Sequence, residues 1–200
     1  MRKIISLLIQ KSASILDKSR NKIVIAYLRL KYPSCQITFN SYLEHGCKIK
    51  CTSNSKLKIK NSIISKGTYI LADHGGAIEI EDTFIGRNCV IVARKKITIA
   101  ANCQIAEMVV IRDQNHSFGK PDMTIAEQGF TVLPINIEKN VWLAAKSTIL
   151  AGSAIGNNTV VGANAVVRDN LDSNAVYVGV PAKKVQSLWF SSLLCLCAKN

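Results

Sequence analysis

The sequence predicts a mainly β protein whose short strands are wound into a coil, and three repeating features of residues 137–172 lead to this fold. In rows of six from residue 137 the chain reads IEKNVW, LAAKST, ILAGSA, IGNNTV, VGANAV and VRDNLD, and every row begins with an apolar residue. The fifth residue of each row is small or medium-sized, with Leu171 the largest. Residues that favour tight turns recur between these positions, namely Asn140, Gly156, Asn157, Asn158, Gly162 and Asn164.

A period of six matches neither an α-helix, which repeats about every 3.6 residues, nor a single strand, which repeats about every two. It matches short strands that are joined by tight corners and repeated as a coil. Each face of the resulting triangular prism places one aliphatic side chain per coil in the interior, where it stacks on its equivalent in the next coil. Backbone hydrogen bonds join successive coils at the usual strand spacing of about 4.8 Å, so each coil contacts only its neighbours.

The same pattern extends upstream in less regular form through IGRNCV at 85–90, IAANCQ at 99–104 and IAEMVV at 105–110. Between the first two, ARKKIT carries two extra residues, which predicts a bulged corner. We therefore expect the coiled domain to span residues 34–181, from just after Pro33 to Pro181.

Two flanking segments differ from the coil. Residues 1–33 have apolar clusters at helical spacing and a basic polar face, which predicts a helical segment with a break near residues 17–21. Two interpretations of this segment stay open: it covers the open end of the coil, or it lies on an anionic membrane surface. Residues 182–200 are expected to form a tail with a short helix over 183–197.

Composition places the chain among globular proteins. Of its 200 residues 48% are hydrophobic and 20% are charged, and the net charge is +13. This excess favours an anionic partner, such as nucleic acid, an acidic membrane surface or a phosphorylated small molecule, or it serves solubility alone. The apolar core of the N-terminal MRKIISLLIQK is too short for a signal peptide, and no apolar run is long enough to span a membrane.

The cysteines and histidines argue against a structural metal site. The chain has seven cysteines, no CxxC pair and three histidines, so a zinc site is not expected. Cys89 and Cys103 occupy strand positions suited to a small apolar residue, which predicts buried thiols. This cysteine usage predicts a reducing, cytoplasmic location.

The coil is interrupted once on a large scale. After Ile111 the six-residue pattern is lost until Ile137, and the segment begins with RDQNHSFG. We expect residues 112–136 to leave the coil as an extended loop, and a long loop in a compact domain is usually functional. His116, at the centre of the polar cluster, is the candidate catalytic residue.

The stretch VWLAAKSTILAGSAIGNNTVVGANAVVRD, with VYVGVPAKKV after it, resembles the C-terminal half of the hexapeptide-repeat acyltransferases. IAEMVVIRDQNHSFG before a long loop resembles the branch that O-acetylates bacterial surface polysaccharides. The resemblance covers about residues 57–185 and implies a left-handed parallel β-helix. Its left-handed sense comes from the resemblance, because the general rule for parallel strands predicts right-handed connections.

The resemblance implies that His116 is the general base that takes the proton from a sugar hydroxyl as it attacks acetyl-coenzyme A. An imidazole has a suitable pKa for this task. Many relatives carry a second histidine where this chain has Gln114, which cannot exchange a proton. Asp113 or Asn115 could orient the imidazole instead, although Asp113 could equally cap the turn.

The resemblance also implies a coenzyme A site along the outside of the C-terminal coils. The matching small residues are Ala145, Gly162 and Ala163, which allow close approach to the backbone. Lys183 matches the basic position that meets the coenzyme A phosphates, with Lys184 beside it. Arg168 stands where relatives often have threonine or serine, WLAAKS stands where many have WIGAGA, and Trp142 is expected to pack at a coil corner.

Two further residues are candidates for acceptor binding. Glu107 could face the cleft of His116 or be a solvent-facing strand residue. His74, in the turn LADHGG, could contact the acceptor sugar or be a corner residue.

The resemblance implies an acetyl-coenzyme A-dependent O-acetyltransferase that forms a homotrimer with active sites between subunits, and the cysteine usage predicts that it is cytoplasmic. Its acceptor is expected to be a sugar of an O-antigen or capsule precursor, and the basic N-terminal helix suggests peripheral contact with the inner membrane. Within the same fold, N-acetylation of an amino sugar or acetylation of a small molecule such as an antibiotic is the alternative.

Three alternatives belong to other classes. A metal-binding β-helix like carbonic anhydrase needs three converging histidines, whereas only His74 and His116 lie in the coil region. A nucleic-acid binder is disfavoured because aromatic residues, which stack on bases, make up 6% of the chain. A purely structural solenoid leaves the histidine loop unexplained.

Overall fold

The computed structural model describes residues 2–52 and 54–188, with side chains from residue 16 onward. One helix, α1 (Arg2–Lys31), precedes 22 strands. In chain order the strands are β1 (Cys35–Ile37), β2 (Tyr42–Leu43), β3 (Lys48–Cys51), β4 (Lys56–Lys60), β5 (Ile63–Ile64), β6 (Tyr69–Ala72), β7 (Ala77–Glu81), β8 (Phe84–Ile85), β9 (Val90–Ala93), β10 (Lys96–Ile99), β11 (Gln104–Ile105), β12 (Val110–Arg112), β13 (Gln114–His116), β14 (Phe130–Val132), β15 (Ile135–Ile137), β16 (Trp142–Leu143), β17 (Thr148–Ile149), β18 (Ala154–Ile155), β19 (Val160–Val161), β20 (Val166–Val167), β21 (Ala175–Val178) and β22 (Lys183–Ser187).

Three sheets form the faces of a prism, and each coil gives one strand to each face. Sheet A has the order β1-β4-β7-β10-β15-β18, sheet B has β2-β5-β8-β11-β16-β19-β21-β22, and sheet C has β3-β6-β9-β12-β17-β20. All pairs within these sheets are parallel except β21–β22. The coil thus begins just after Pro33, as expected.

The interior is formed by the residues that the period of six predicts. The first residues of the rows are at most 1% exposed, namely Ile137, Leu143, Ile149, Ile155, Val161 and Val167. Strand register stacks them by face, for example Ile137 on Ile155 and Leu143 on Val161. The predicted thiols of Cys89 and Cys103 are fully buried. Trp142, in contrast, is 51% exposed, because in its two-residue strand it alternates with inward-facing Leu143.

The corners require a left-handed backbone, and asparagine supplies it. Along the edge between sheets A and B, Asn140, Asn158 and Asn174 have φ values of 57°, 57° and 59°. Their side chains form a ladder, with Nδ2 of Asn140 donating to Asn158 at 2.8 Å and Nδ2 of Asn158 donating to Asn174 at 2.7 Å. These residues therefore turn the chain and also link successive coils.

The helix α1 closes the N-terminal end of the coil, as one of the two open interpretations proposed. Ile25 and Leu28 are buried in the same core as the coil residues. The expected break near residues 17–21 is wrong, since α1 is continuous. The polar residues that suggested the break bind the first coil instead: Asn21 donates to Ser41 O and accepts from Leu43 N, both at 2.8 Å, and Asp17 accepts from Tyr42.

The C-terminal end is closed by a strand, so the expected helix over 183–197 is wrong for residues 183–187. Here β22 pairs antiparallel with β21 and covers the edge of sheet B. An uncovered edge would leave backbone N–H and C=O groups without partners, which explains why the chain turns back as a strand. The rest of that expected helix, residues 189–197, lies outside the described residues.

The basic charge is concentrated at the N-terminal end. Residues 1–70 hold 14 of the 26 Lys and Arg residues but two of the 13 Asp and Glu residues, so they carry +12 of the net +13. The structure places this segment in α1 and the first coils. Within the described part of the chain, no helix has the length and apolarity needed to cross a bilayer.

Replacement of Ser147 with alanine is expected to leave the free energy of unfolding unchanged or raise it by up to about 1 kcal/mol, because Ser147 Oγ is buried without a hydrogen-bond partner among the described residues. Ser153 is the matched control, since its buried Oγ donates to Val167 O at 3.3 Å. Ser153→Ala should cost about 1 kcal/mol in urea unfolding. Equal losses for both variants would contradict this assignment.

The buried thiols are expected to make the protein less stable at alkaline pH. Burial raises the pKa of Cys89 from 9.0 to about 11, and it raises that of Cys35 to about 12. Above pH 9 the unfolded chain loses thiol protons that the folded chain keeps, so the free energy of unfolding should fall from about pH 9 to pH 11. In Cys89→Ala this slope, measured by denaturant titration, should be smaller; an unchanged slope would refute the contribution of Cys89.

Candidate active site

The loop that carries His116 is an ordered hairpin, which we call the arm (residues 113–134). It leaves the coil after β12, at the edge between sheets C and A, and β13 pairs antiparallel with β14. His116 lies directly opposite Phe130, and their ring centroids are 4.2 Å apart at an angle of 40°. Both side chains are exposed, so the imidazole is held against an aromatic ring with solvent access.

Arg94, from the preceding coil, connects the arm to the prism. Its guanidinium carbon lies 3.9 Å from the centroid of the Phe130 ring, a cation–π contact. Its Nη2 lies 3.9 Å from Asp73 Oδ2, one coil further down the same edge. Phe130 therefore contacts both Arg94 and His116, and the arm is supported by the coil through this ring.

Asp113 anchors the base of the arm. Its carboxylate is fully buried and accepts hydrogen bonds from the backbone N–H groups of Arg94 and Lys95, both at 2.8 Å. Its own backbone oxygen accepts from Leu133 N at 2.9 Å, which closes the hairpin. The structure records no hydrogen bond between Asp113 and His116 within the described residues. The geometry thus favours turn capping over orientation of the imidazole.

The side chains of β13 alternate between the two faces of the hairpin, so Gln114 and Asn115 lie on different faces. Asn115 is adjacent to His116 in β13, so its side chain points to the opposite face of the hairpin. It is therefore badly placed to orient the imidazole of the same chain. Gln114 shares the face of His116, and its Oε1 is buried without a hydrogen-bond partner among the described residues. Gln114 thus shares a strand face with His116, but its Oε1 is buried away from solvent.

His74 lies on the same edge as the arm. It occupies a turn with a φ of 50°, and its Nδ1 is 2.6 Å from Asp73 Oδ2. Partial burial opposes ionisation of Asp73, but hydrogen bonds from Thr52 and His74 outweigh it and hold the pKa of the Asp73 carboxyl below its ordinary value. Asp73 in turn faces Arg94, so contacts run from His74 to His116 along one edge.

The expected cofactor residues lie on a different edge, between sheets B and C. Lys146 N donates to Glu107 O and Asn164 N donates to Ala145 O, both at 3.0 Å, so Glu107, Ala145 and Ala163 follow one another at successive coil corners. Glu107 thus lies one coil before Ala145 and does not face His116 of the same chain. It is exposed at a corner.

Gly162 continues this edge toward the C-terminal strands. Its N–H donates to Tyr177 O at 2.8 Å, and a Cβ at this position would lie 2.7 Å from Val178 Cγ1. Lys183 is paired with Val178 and is exposed, so it stands at the end of the same edge. Lys184 pairs with Tyr177, and its Nζ is 4.0 Å from Asp172.

Arg168 is not part of this edge. It follows β20 at the corner between sheets C and A, where its Nε lies 3.5 Å from Asp169 Oδ2. It therefore sits on the edge from which the arm departs. Within one chain, the width of sheet C separates the arm from Ala145 and Gly162.

Sequence reasoning missed Arg94 and Phe130. No sequence motif marks Phe130, because its role depends on the hairpin register that places it opposite His116. Arg94 did leave a signal: it belongs to ARKKIT, the segment with two extra residues. The bulged corner predicted there is the backbone that Asp113 binds.

The comparison with known proteins identifies the family. Residues 134–169 match the bacterial transferase hexapeptide, with six repeats. WbbJ of Escherichia coli (strain K12), assigned to lipopolysaccharide biosynthesis as an O-acetyl transferase, is 31% identical over 172 residues, which cover 79% of this chain and 82% of WbbJ. The chain belongs to the hexapeptide-repeat acyltransferase family. The family expected from the repeats is thereby confirmed, and the chain is an acyltransferase.

Other relatives agree with this acyltransferase assignment. Galactoside O-acetyltransferase of E. coli (strain K12) is 30% identical over 116 residues, which cover 58% of this chain and 56% of the relative. The crystal structure of AntD, an N-acyltransferase from Bacillus cereus in complex with dTDP and 3-hydroxybutyryl-CoA, has a TM-score of 0.67 at 19% identity. The match covers 80% of this chain and 86% of AntD, and it shows that the two proteins share a fold.

Among the side chains described, those of residues 16–52 and 54–188, no group of three His, Cys, Asp or Glu is arranged to hold a metal ion.

Replacement of Asp113 with alanine is expected to lower the free energy of unfolding by about 2–4 kcal/mol, because it leaves the backbone N–H groups of Arg94 and Lys95 without their acceptor. The arm should also become more sensitive to limited proteolysis. Asp122→Ala, which removes an exposed carboxylate from the same arm, is the control. Equal proteolysis rates for the two variants would show that Asp113 does not anchor the arm.

Proposed function

We propose that this chain is an acetyl-coenzyme A-dependent O-acetyltransferase that acetylates a sugar hydroxyl of a bacterial surface polysaccharide, an O-antigen or capsule, or of its precursor. The observation that carries the proposal is the arm, which holds an exposed imidazole against Phe130 outside an otherwise regular coil. A purely structural solenoid has no need of such an arm.

In the proposed reaction His116 is the general base. A sugar hydroxyl is a poor nucleophile at neutral pH, and an imidazole within hydrogen-bond reach can take its proton as the new bond forms. Acetyl-coenzyme A supplies an acyl group activated as a thioester. His116 then holds the proton that the departing thiolate requires, so one residue serves both halves of the transfer.

The edge between sheets B and C is suited to bind the pantetheine chain of coenzyme A. Among the hydrogen bonds recorded for the described residues, the backbone N–H groups of Ala145 and Ala163 have no partner, although Lys146 and Asn164 beside them are bonded. These two N–H groups lie one coil apart. Because the side chains of both residues are single methyl groups, the amide carbonyls of a pantetheine chain can approach the N–H groups closely. Either N–H group is also a candidate hydrogen-bond donor to the oxyanion that forms when the sugar hydroxyl attacks the thioester carbonyl. Lys183 and Lys184, at the end of the edge, would meet the phosphates.

The separation of the arm from this edge supports a homotrimer with active sites between subunits. Because sheet C lies between them in one chain, His116 and Ala145 belong to two halves of a site. A closed ring of copies lets the arm of one subunit meet the edge of its neighbour, and it leaves no half-site unused.

For the acceptor, WbbJ supports a sugar of lipopolysaccharide biosynthesis, and galactoside O-acetyltransferase supports attack by a hydroxyl. We propose that the enzyme acts in the cytoplasm. The panel of acceptors that tests this proposal also includes amino sugars, so that both N-acetylation and O-acetylation are measured.

Replacement of His116 with alanine is expected to lower kcat by about 10²–10⁴-fold, because the proton of the hydroxyl loses its acceptor, while coenzyme A binding is kept. Transfer of isotope-labelled acetyl to a panel of sugars measures the rate, and calorimetry measures coenzyme A binding. The control is His45→Ala, which removes an exposed histidine far from the arm.

Full activity of His116→Ala would refute the role of His116 while leaving the transferase assignment intact. A wild-type protein that neither binds coenzyme A nor labels any sugar would refute the proposed activity. Labelling of an amino group in preference to every hydroxyl would replace O-acetylation with N-acetylation.

A further inference from the structure

The outward face of α1 carries an apolar stripe that the fold does not cover. Leu16, Ile23, Tyr27 and Leu30 are 71%, 69%, 55% and 84% exposed. Their spacings of seven, four and three residues place them on one side of the helix. Ile25, which is buried against the coil, is nine residues from Leu16, or about two and a half turns, and so lies on the opposite side.

Basic side chains flank the stripe on both sides. Arg20 and Lys31 lie along one border, and Lys22 lies beyond the other. Asp17 is the acidic residue of this helix, and its carboxylate is already bonded to Arg20 and Tyr42. The exposed face of the helix from residue 16 onward therefore combines an apolar stripe with positive borders.

An open groove continues the stripe toward the first coil. It has a volume of about 420 Å³ and is lined by Val24, Tyr27, Leu28, Leu43 and Ile49, with lysines at its rim. Tyr27 belongs to both the groove and the stripe. The apolar surface thus extends beyond the helix, and four basic residues and one acidic residue, Glu44, line the groove with it.

The charge identifies the occupant. Since residues 1–70 carry +12, a second copy of this face would meet like charges, which disfavours self-association through it. A bilayer that contains anionic lipids offers both an apolar layer and a negative surface, and a helix with an apolar stripe between basic borders lies in that interface. We propose that α1 docks the enzyme on an anionic membrane surface, with Ile23 and Leu30 inserted and the lysines at the headgroups.

Docking through α1 leaves the arm and the proposed coenzyme A site accessible. The stripe lies at the N-terminal end of the prism, whereas the arm departs after β12 and the edge with Ala145 and Lys183 belongs to the later coils. The proposal is independent of the identity of the acceptor. It nevertheless explains why the charge excess lies apart from the residues proposed to bind coenzyme A.

The test is flotation of the full chain with vesicles of phosphatidylcholine mixed with phosphatidylglycerol, and with vesicles of phosphatidylcholine alone. The wild type should bind only the anionic vesicles, and the binding should weaken with added salt. Ile23→Ser with Leu30→Ser should weaken binding at least tenfold, because it removes the inserted side chains. Both residues are exposed, so the fold and the transfer of acetyl to a soluble acceptor should be unchanged.

The basic borders are tested with Lys22→Glu and Lys31→Glu, which should weaken vesicle binding at least tenfold. Lys120→Glu with Lys139→Glu makes the same change in net charge on exposed residues away from α1, and it should have a smaller effect.

Three results would overturn the proposal. The wild type could fail to bind anionic vesicles at low salt. The serine variant could bind as tightly as the wild type, which would mean adsorption by charge without insertion. It could also change the oligomeric state in sedimentation, which would make the stripe a contact between subunits.

Discussion

The structure depends on the stacking of one aliphatic side chain on its equivalent in the next coil, on each of three faces. Because full burial of an isoleucine or valine stabilises a fold by about 1.5–3 kcal/mol, the stacked columns are the main source of stability. They also fix the register, since a shift by one residue would turn every inward side chain outward. Ile137, Leu143 and Ile149 show the result, with no more than trace exposure on any face.

This constraint confines function to the edges of the prism. The faces are occupied by ladder hydrogen bonds and inward side chains, so variation is tolerated where the chain turns. On one edge the N–H groups of Ala145 and Ala163 have no hydrogen-bond partner among the described residues, and the arm departs from another edge. The arm in turn needs local support, which it obtains from the Asp113 carboxylate and from the contact of Arg94 with Phe130.

A solenoid also has two open ends, and the chain closes them in different ways. At the N-terminal end α1 covers the core with Ile25 and Leu28 and binds the first coil through Asn21. At the C-terminal end β22 folds back on β21. One side of α1 is packed on the coil, and the other carries the exposed apolar stripe that we propose docks on an anionic bilayer.

The sequence by itself determined the coil, the inward residues and the point at which the arm departs, because each follows from a short-range pattern repeated every six residues. It also pointed to His116 through the loop signature. The sequence did not determine what Asp113 binds, that Phe130 faces His116, that Arg168 lies on a different edge from Ala145, or that residues 183–187 form a strand. Those facts depend on contacts between distant residues, on hairpin register and on the need of an open sheet edge for a partner, so only the tertiary structure could decide them.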